Sequence, residues 1–332
     1  MNLIIPMAGK GKRLRPHTLT VPKPLIPIAG KPIVQRLVED IAKVTPEKIE
    51  DIGFIIGDFE EEVLKELRNI AKEVGANAHF FTQEVAEGTA HAVACASKLL
   101  RGKVTVAFSD TLFKADFKLN AEDDGIIWTK RVDDPSAFGV VKTDDQGFIT
   151  DFIEKPKTFV TDQAIIGIYY FKQGEELKRE LDYLIENNIR GGGEFQLTMA
   201  LENLKEKGTK FTVGTVDEWL DCGNKEITVD SNTRYLNFLS DQDLVSQEAK
   251  IENSEIIAPV FIGRHTTIRN AKVGPNVSIG ANCEIENSTV SNSLVQNNTS
   301  LKDVNLTNSM IGNFVKLKGQ PKSVSLGDYS EW

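Results

Sequence analysis

The stretch LIIPMAGKGKRLRP, residues 3–16, decides the fold expected for the N-terminal part of the chain. Its first four residues are apolar, and residues 7–16 hold two glycines among four cationic side chains. A buried strand that ends in such a loop suits a polyphosphate, because glycine lets backbone N–H groups approach an anion and arginine donates two hydrogen bonds to phosphate oxygens. Seven Lys and Arg residues precede the first acidic residue, Glu39, although the chain carries a formal net charge of -9. The sequence therefore predicts an anion-binding loop at residues 7–16.

This loop is a weak motif when it is taken alone. It lacks the third glycine of a dinucleotide fingerprint, as well as the G-x-x-x-x-G-K-[ST] pattern of a P-loop, so a dehydrogenase is not indicated. A strand-to-helix turn with solvated cations remains the alternative. The following prolines, in PKPLIP (residues 22–27) and GKP (residues 30–32), favour the phosphate site. Closely spaced prolines fix an extended segment that can hold Lys23 beside the same anion.

Length and composition predict a globular protein of about two domains in the cytoplasm. The chain has 332 residues, 40% hydrophobic and 26% charged, without an apolar run long enough to span a membrane or a secretory leader. The three cysteines lie far apart, so neither a disulfide framework nor a zinc site is indicated. A pI near 5.2 argues against a broad basic face for nucleic acid.

Strand and helix patterns alternate four times in about the first 110 residues, which predicts an α/β, Rossmann-like and mostly parallel sheet with helices on both faces. The helices are expected over residues 32–44, 58–74 and 90–100. Ligands bind such sheets at the carboxyl ends of the strands, where the glycine loop, Gln83 and Asp110 are all expected. From Ile126 to Ile153, short apolar runs between turn residues predict antiparallel hairpins. The first domain is predicted to span residues 1–245.

A repeat begins near residue 250. Aliphatic residues recur in steps of six, as in Ile256, Ile262 and Ile268, and several are followed by glycine. Asn-Ser pairs recur at 253, 287, 292 and 308. This hexapeptide repeat predicts a left-handed parallel β-helix over residues 250–322, whose corners favour residues that tolerate left-handed backbone, followed by a tail at 323–332. An irregular β-sandwich is the alternative.

Taken in order, these motifs resemble the sugar-1-phosphate nucleotidyltransferases, especially the glucose-1-phosphate thymidylyltransferase and uridylyltransferase group with an appended left-handed β-helix. The resemblance covers residues 1–245 and 250–320. It implies that Arg13 and Lys23 contact phosphate oxygens and, with Asp110, are catalytic. The nucleotide-binding residues that it implies are Ala8, Gly9, Gly11, Lys12, Arg13, Gln83, Gly88 and Thr89. The chain departs from the family pattern at Lys10, where a glycine is usual, and at Lys12, where a threonine is usual.

The resemblance also implies a sugar site and a metal site. Mg²⁺ is expected on Asp110 and Asp221, because this ion takes hard oxygen ligands. Residues expected to bind the sugar phosphate are Gly139, Glu154, Lys155 and Gly167. The family's Gly-Glu-x-x-Leu-Thr-Asp motif begins here at Glu194, with Met199 in place of the aspartate. His91 is interpreted as a packed helix residue.

The implied reaction makes an NDP-sugar and pyrophosphate from a nucleoside triphosphate and a hexose 1-phosphate, with glucose 1-phosphate and dTTP or UTP favoured. Two other functions stay open at this point. A non-catalytic regulatory homologue is one, although the chain keeps both metal aspartates and both phosphate cations. A hexapeptide acyltransferase is the other, although the β-helix is short and holds one histidine, His265. The exposed end of the β-helix also predicts a homo-oligomer.

Overall fold

The computed structural model describes residues 1–116, 118–319 and 322–331. In the first 221 residues the strands are β1 Asn2–Pro6, β2 Pro27–Ile28, β3 Lys31–Pro32, β4 Asp51–Ile56, β5 Asn77–Thr82, β6 Val104–Ala107, β7 Thr111–Lys114, β8 Gly125–Arg131, β9 Gly139–Thr143, β10 Ile149–Glu154, β11 Gln163–Phe171, β12 Phe211–Thr215 and β13 Glu218–Asp221. The α-helices are α1 Ile33–Val44, α2 Glu61–Glu73, α3 Thr89–Cys95, α4 Gly174–Glu186, α5 Leu197–Glu206 and α6 Lys225–Phe238.

Short strands make up the C-terminal part of the chain. They are β14 Lys250–Glu252, β15 Glu255–Ile256, β16 Val260–Ile262, β17 Thr267–Arg269, β18 Lys272–Val273, β19 Val277–Ile279, β20 Glu284–Glu286, β21 Thr289–Ser291, β22 Ser293–Val295, β23 Ser300–Lys302, β24 Asn305–Thr307, β25 Met310–Ile311, β26 Lys316–Lys318 and β27 Ser325–Leu326. Turns of 3-10 helix lie at Lys12–Leu14, Lys23–Leu25 and Ser97–Leu99.

The chain divides into two compact units. Unit 1 is Met1–Gly9 with Gln35–Trp219, and unit 2 is Lys10–Val34 with Leu220–Trp332. The anion-loop stretch therefore starts in unit 1 and continues in unit 2. The predicted domain limits, 1–245, 250–322 and 323–332, stay a prediction, and they include residues 320, 321 and 332, which lie outside the described residues.

Unit 1 is built on a mixed sheet of nine strands in the order β10-β9-β11-β6-β1-β4-β5, with β8 pairing β11 and β12. The segment β6-β1-β4-β5 is parallel, because β1 pairs in parallel with β4 and β6, and β4 pairs in parallel with β5. All five residues of β1 are buried, as a strand covered on both faces requires. The predicted α/β class is confirmed, and so is the antiparallel hairpin, here formed by β9 and β10.

The helices of unit 1 are shorter than the sequence pattern predicts at two places. Helix α2 begins at Glu61, three residues after the predicted start at Asp58. Helix α3 ends at Cys95, and the chain then tightens into the 3-10 turn Ser97–Leu99. This turn keeps Leu99 in the core, at 4% exposure. The apolar residues that predicted a longer helix are therefore buried, although the α-helix ends before them.

Unit 2 contains a β-helix made of three parallel sheets, in the orders β14-β17-β20-β23-β26, β15-β18-β21-β24 and β16-β19-β22-β25-β27. The six-residue aliphatic series forms its buried core, as the 0% exposure of Ile262, Ile268 and Val273 shows. Corner residues such as Asn253 and Asn287 have left-handed φ values of 46° and 48°. Asparagine tolerates this backbone conformation at little cost, which explains its place at the corners. The three parallel sheets confirm the predicted solenoid.

In the part of the chain that the structure describes, none of the α-helices combines the length and the apolar character needed to cross a bilayer.

Candidate active site

Residues 10–25 lie in unit 2, include the second half of the glycine loop, and are called the cationic loop below. Gly11 has a φ of 55° and is followed by the 3-10 turn Lys12–Leu14. Leu14 is fully buried, whereas its neighbours Arg13 and Arg15 are exposed. The turn is therefore anchored by one buried apolar side chain, and the two flanking guanidinium groups stay at the surface.

Lys23 lies next to Gly11 in this loop. A Cβ atom placed on Gly11 would be 3.1 Å from Cβ of Lys23 and 3.0 Å from Cγ2 of Thr18. The Thr18 hydroxyl donates a hydrogen bond of 2.9 Å to the Gly11 carbonyl. Pro22 is extended, with ψ of 138°, and Lys23 then begins the turn Lys23–Leu25 and is buried to 9% exposure. Unit 2 thus brings Gly11 and Lys23 together, although residues 23–25 form a 3-10 turn instead of the extended segment that the prolines predict.

Asp110 lies in unit 1, just after β6. The preceding turn is tied to two neighbouring strands: the Ser109 hydroxyl donates to the carbonyl oxygen of Pro6 at 3.0 Å, and the Phe108 N–H donates to the carbonyl of Gly167 at 2.9 Å. Gly167 has a φ of 86° at the register shift of β11. The predicted site Gly167 therefore lies beside Phe108, two residues before the predicted site Asp110, just past the carboxyl end of β6.

Gln83 follows β5 and faces the turn that opens α3. Its amide nitrogen is 3.2 Å from Nδ1 of His91 and donates to the Gly88 carbonyl at 3.5 Å. The predicted nucleotide residues Gln83, Gly88 and Thr89 are thus brought together in unit 1. His91 is a packed helix residue, as predicted, and it also orients the Gln83 amide.

The Gly88 turn is clamped by the segment 194–197. The Ala90 N–H donates to the carbonyl of Phe195, and the Phe195 N–H donates to the carbonyl of Glu87, each at 2.8 Å. The Thr89 hydroxyl accepts from the Leu197 N–H at 2.9 Å. A Cβ on Gly88, which has a φ of 117°, would be 2.4 Å from the Phe195 oxygen. Only glycine fits this turn.

Arg190 closes the outside of the same turn, and the sequence analysis did not identify it. Its guanidinium donates to Glu87 at 2.7 Å and lies 3.9 Å from the ring centroid of Phe195. The Arg190 hydrogen bond lowers the pKa of the Glu87 carboxyl below its ordinary value. Arg190 precedes a Gly-Gly-Gly run, and this run was the signal available in the sequence.

The predicted sugar residues of the β9-β10 hairpin form a second cluster in unit 1. Gly139 pairs with Glu154, and a Cβ on Gly139 would be 3.2 Å from Oε2 of Glu154. Nζ of Lys155 is 3.8 Å from the other carboxylate oxygen, and Lys155 itself has a φ of 43°. Gly139 therefore leaves room for the Glu154 carboxylate, and the Lys155 ammonium lies beside it.

Two more side chains of this cluster were missed by sequence reasoning. The Thr198 hydroxyl donates to Oε2 of Glu154 at 3.3 Å. Burial, and secondarily the charge of Glu154, raises the pKa of Tyr169 well above its ordinary value, so this phenol stays neutral. Thr198 belongs to the Gly-Glu-x-x-Leu-Thr motif, which was the available signal. Tyr169 carried no such signal.

Asp221 ends β13, in unit 2. Its Oδ2 atom would be 2.9 Å from a Cβ on Gly223, so the carboxylate occupies space that a side chain at residue 223 would need. The Ser231 hydroxyl donates to the Asp221 carbonyl at 2.9 Å. Within the described ranges, no group of three or more His, Cys, Asp and Glu side chains is arranged to hold a metal ion. Asp110 in unit 1 and Asp221 in unit 2 each offer carboxylate oxygens, the hard donors that Mg²⁺ takes, and their role as metal ligands stays a prediction.

Comparisons with known proteins agree with this architecture. The profile of the family described as Nucleotidyl transferase matches residues 3–237. The chain is 29% identical to a glucose-1-phosphate thymidylyltransferase of Streptomyces antibioticus, over 96% of this chain and 93% of the relative. It is 31% identical to the bifunctional protein GlmU of Methanococcus maripaludis, over 76% of this chain and 58% of the relative.

A solved UDP-glucose pyrophosphorylase, complexed with UDP-glucose, has the same fold over 71% of this chain and 98% of its own, with a TM-score of 0.59 and 20% identity. The chain belongs to the nucleotidyl transferase family and is an enzyme of that class. The more particular resemblance, to sugar-1-phosphate nucleotidyltransferases, is confirmed as well, since relatives aligned along nearly its whole length carry that description.

Proposed function

We propose that the enzyme makes an NDP-sugar and pyrophosphate from glucose 1-phosphate and dTTP, or else UTP, with Mg²⁺. The observation that carries this proposal is the Gly139–Glu154 pair, with the Lys155 ammonium 3.8 Å from the carboxylate. A carboxylate accepts hydrogen bonds from sugar hydroxyls, while an adjacent ammonium attracts the sugar phosphate. The relative of Streptomyces antibioticus, named for glucose 1-phosphate and thymidylyl transfer, supports this choice of substrates.

In the proposed reaction, a phosphate oxygen of the sugar 1-phosphate attacks the α-phosphorus of the nucleotide. The bond from the α-phosphorus to the bridging oxygen breaks, and pyrophosphate leaves with the bond's electron pair. Two polyanions must approach each other, so the protein's task is positioning and charge neutralisation. Arg13 and Lys23 would neutralise the triphosphate, and Lys155 the sugar phosphate. Asp110 and Asp221 would hold Mg²⁺, which when bound draws charge from the phosphate oxygens.

The proposed role in base recognition falls to Gln83, with Gly88 and Thr89 placing the base through their backbone. Both contacts of the Gln83 amide described above use its nitrogen, so its carbonyl oxygen can accept a hydrogen bond from a base. Thymine and uracil each present an N3–H donor, and guanine presents N1–H. Adenine and cytosine present an acceptor at the corresponding position. This geometry favours dTTP, UTP and GTP over ATP and CTP.

The remaining proposed contacts to the nucleotide are backbone contacts at Ala8, Gly9 and Gly11, with the Lys12 side chain beside them. A Cβ on Gly9 would meet none of the described atoms within 4 Å, so the backbone there is open to a ligand.

A location in the cytoplasm, a homo-oligomeric state, and the absence of membrane and nucleic-acid partners stay predictions. Light scattering at working concentration tests the oligomer, and a monomer there would contradict it.

Pyrophosphate release tests the proposed function directly. Glucose 1-phosphate and Mg²⁺ are combined in separate wells with dTTP, UTP, GTP, ATP or CTP. We expect release with dTTP or UTP that requires both substrates and stops when the metal is chelated. Silence in all five wells, repeated with mannose and N-acetylglucosamine 1-phosphates, would contradict the proposed function.

A matched pair of arginines tests the mechanism. Arg13→Ala should lower kcat/KM about 10²-fold or more, the size of effect seen when one preorganised donor is removed. Arg15→Ala removes the same charge two residues further along the exposed surface of the cationic loop and should change kcat/KM by less than about threefold. Equal losses in the two variants would contradict a specific role for Arg13.

A further inference from the structure

The last described turn of the β-helix contacts the cationic loop inside unit 2. This turn, residues 322–331, is called the closing coil and contains β27. Nε2 of His17 is hydrogen-bonded to the Ser325 hydroxyl at 3.0 Å, and the Thr20 hydroxyl donates to Oδ2 of Asp328 at 2.5 Å. His17 is fully buried, although its partner lies 308 positions away in the sequence. The cationic loop and the closing coil therefore pack against each other, with the His17 side chain buried between them.

Gly327 of the closing coil and Pro16 of the cationic loop fit closely together in the same interface. Gly327 lies between Ser325 and Asp328, and a Cβ on it would be 2.8 Å from Cβ and 3.1 Å from Cγ of Pro16. The side chain of Pro16 is a rigid ring that cannot move aside, so a methyl group at residue 327 would displace the loop or the coil. The closing coil thus presents its one glycine where Pro16 of the loop packs against it.

The contacted residues are bonded in turn to the part of the loop that carries Arg13. The His17 N–H donates to the carbonyl of Leu14 at 3.0 Å, and the Thr18 hydroxyl donates to the carbonyl of Gly11 at 2.9 Å. Residues 11–14 form the 3-10 turn that presents Arg13. A displacement of residues 16–20 would therefore be passed, through these two hydrogen bonds, to the backbone of the turn that carries Arg13.

We infer that the closing coil positions the nucleotide-binding loop, with His17 and Thr20 as positioning residues held by Ser325 and Asp328. The β-helix then serves the reaction without contributing a reacting group. This role rests on the proposed function, because it assumes that Arg13 contacts the triphosphate. An arginine that is held before the substrate arrives costs less entropy to align, and an error of about 1 Å in such a group can cost about 10²-fold in rate.

Two substitutions in the closing coil test this role in the full-length protein. Ser325→Ala removes the hydroxyl that faces His17, and we expect a fall of about 5-fold in kcat/KM for the nucleotide, the size of one neutral hydrogen bond. Gly327→Ala should lower it more, by about 10- to 100-fold. KM for glucose 1-phosphate should stay unchanged, because the Glu154 cluster is not altered. Ser325→Thr keeps the hydroxyl and should restore most of the activity.

The matched control is Ser323→Ala, because Ser323 is also exposed, lies two residues earlier in the same coil, and donates to the Asn308 carbonyl rather than to the loop. Hydrogen exchange of peptides covering residues 10–25, measured without substrate, should rise in Ser325→Ala and Gly327→Ala and stay at the wild-type level in Ser323→Ala.

Unchanged exchange in both closing-coil variants would overturn the inference. So would faster exchange with wild-type kinetics, or equal effects in the control. A wild-type protein that transfers no nucleotide would overturn the proposed function and, with it, this role in the reaction. The exchange measurement separates the two failures, because it needs no turnover.

Discussion

The turn at Gly88 in unit 1 and the turn at Gly11 in unit 2 have the same task in the proposed site, yet they are held differently. Each has a glycine at positive φ just before a helical turn that carries predicted nucleotide contacts. Backbone groups of Glu87, Ala90 and Phe195 hold the Gly88 turn to the segment 194–197 through two hydrogen bonds of 2.8 Å, and the Thr89 hydroxyl adds a third bond. Local backbone bonds shape the Gly11 turn, but side chains tie it to the rest of its surroundings, through the Thr18 hydroxyl and the contacts of residues 16–20 with the closing coil.

This difference separates a fixed part of the site from an adjustable one. A backbone clamp persists whatever side chains occupy the clamping segment, but it leaves no space for a Cβ atom. A loop held by hydroxyl and imidazole groups can change its stiffness with one substitution, or with the protonation of one histidine. We therefore expect glycine replacement to be severe at Gly88 and milder at Gly11, and we expect pH sensitivity in the cationic loop.

The largest effect is expected for Gly88→Ala. The new Cβ would lie 2.4 Å from the Phe195 oxygen at a φ of 117°. Overpacking against backbone together with an unfavourable φ should cost about 4 kcal/mol in the free energy of unfolding and lower kcat/KM more than about 10²-fold. Urea unfolding and steady-state kinetics measure both quantities.

Gly208→Ala is the matched control for Gly88→Ala. Gly208 has a similar φ of 101°, but a Cβ there would meet none of the described atoms within 4 Å. It should therefore show the cost of φ alone, about 1–2 kcal/mol, with activity retained. If both substitutions cost the same, the clamp by residues 194–197 does not account for the severity at Gly88.

The second effect is loss of stability in acid through His17. Burial lowers the pKa of His17 to about 4; the charge of Asp328 raises this pKa and the charge of Lys225 lowers it, but both effects are smaller than that of burial. The folded state therefore favours neutral imidazole. The neutral His17 imidazole therefore contributes fully to the free energy of unfolding above the unfolded pKa of about 6.5, and this contribution is lost as the pH falls toward 4.

The acid effect can be measured as a difference between two proteins. Between pH 7.5 and 4.5, His17 should account for about 2–3 kcal/mol of lost unfolding free energy. Subtracting the same pH difference in His17→Gln removes the carboxylates that titrate in both proteins. Identical pH dependences for wild type and variant would show that the folded state does not disfavour the imidazolium.

The third effect is expected for Gly11→Ala, with Gly102→Ala as its control. The two glycines have φ values of 55° and 56°, but a Cβ on Gly102 would meet none of the described atoms, whereas one on Gly11 would touch Thr18 and Lys23. Both should lose about 1–2 kcal/mol of stability from left-handed backbone. Gly11→Ala alone should also lose about 10-fold in kcat/KM, because the new Cβ would lie 3.1 Å from Cβ of Lys23, which is fixed to the backbone and can move away only if the loop moves. Equal activities in the two variants would separate Gly11 from the nucleotide site.

Local patterns predict the parts of this molecule in which neighbours in sequence are neighbours in space. The strand and helix alternation of unit 1, the six-residue repeat of unit 2 and the Asn-Ser corners all follow from backbone periods or from left-handed tolerance. The closing contact between His17 and Ser325 could not be predicted in this way, because 308 positions separate the two residues and only tertiary packing brings them together. The same reason hid the hydroxyl of Thr198 from sequence reasoning, although its motif was visible.

The smallest effect is expected at Thr198, where the segment that clamps Gly88 ends beside the Glu154 cluster. The Thr198 hydroxyl donates to Glu154 at 3.3 Å, a long hydrogen bond that should contribute about 0.5–1 kcal/mol. Thr198→Val keeps the shape, so KM for glucose 1-phosphate should rise about 2- to 5-fold, while KM for the nucleotide stays unchanged. Thr89→Val is the counterpart at the other end of the clamp, since its hydroxyl accepts from the Leu197 N–H at 2.9 Å, and it should affect the nucleotide instead. If each variant changes the KM values of both substrates equally, the clamp transmits strain between the two clusters and the separation of a nucleotide side from a sugar side in unit 1 is wrong.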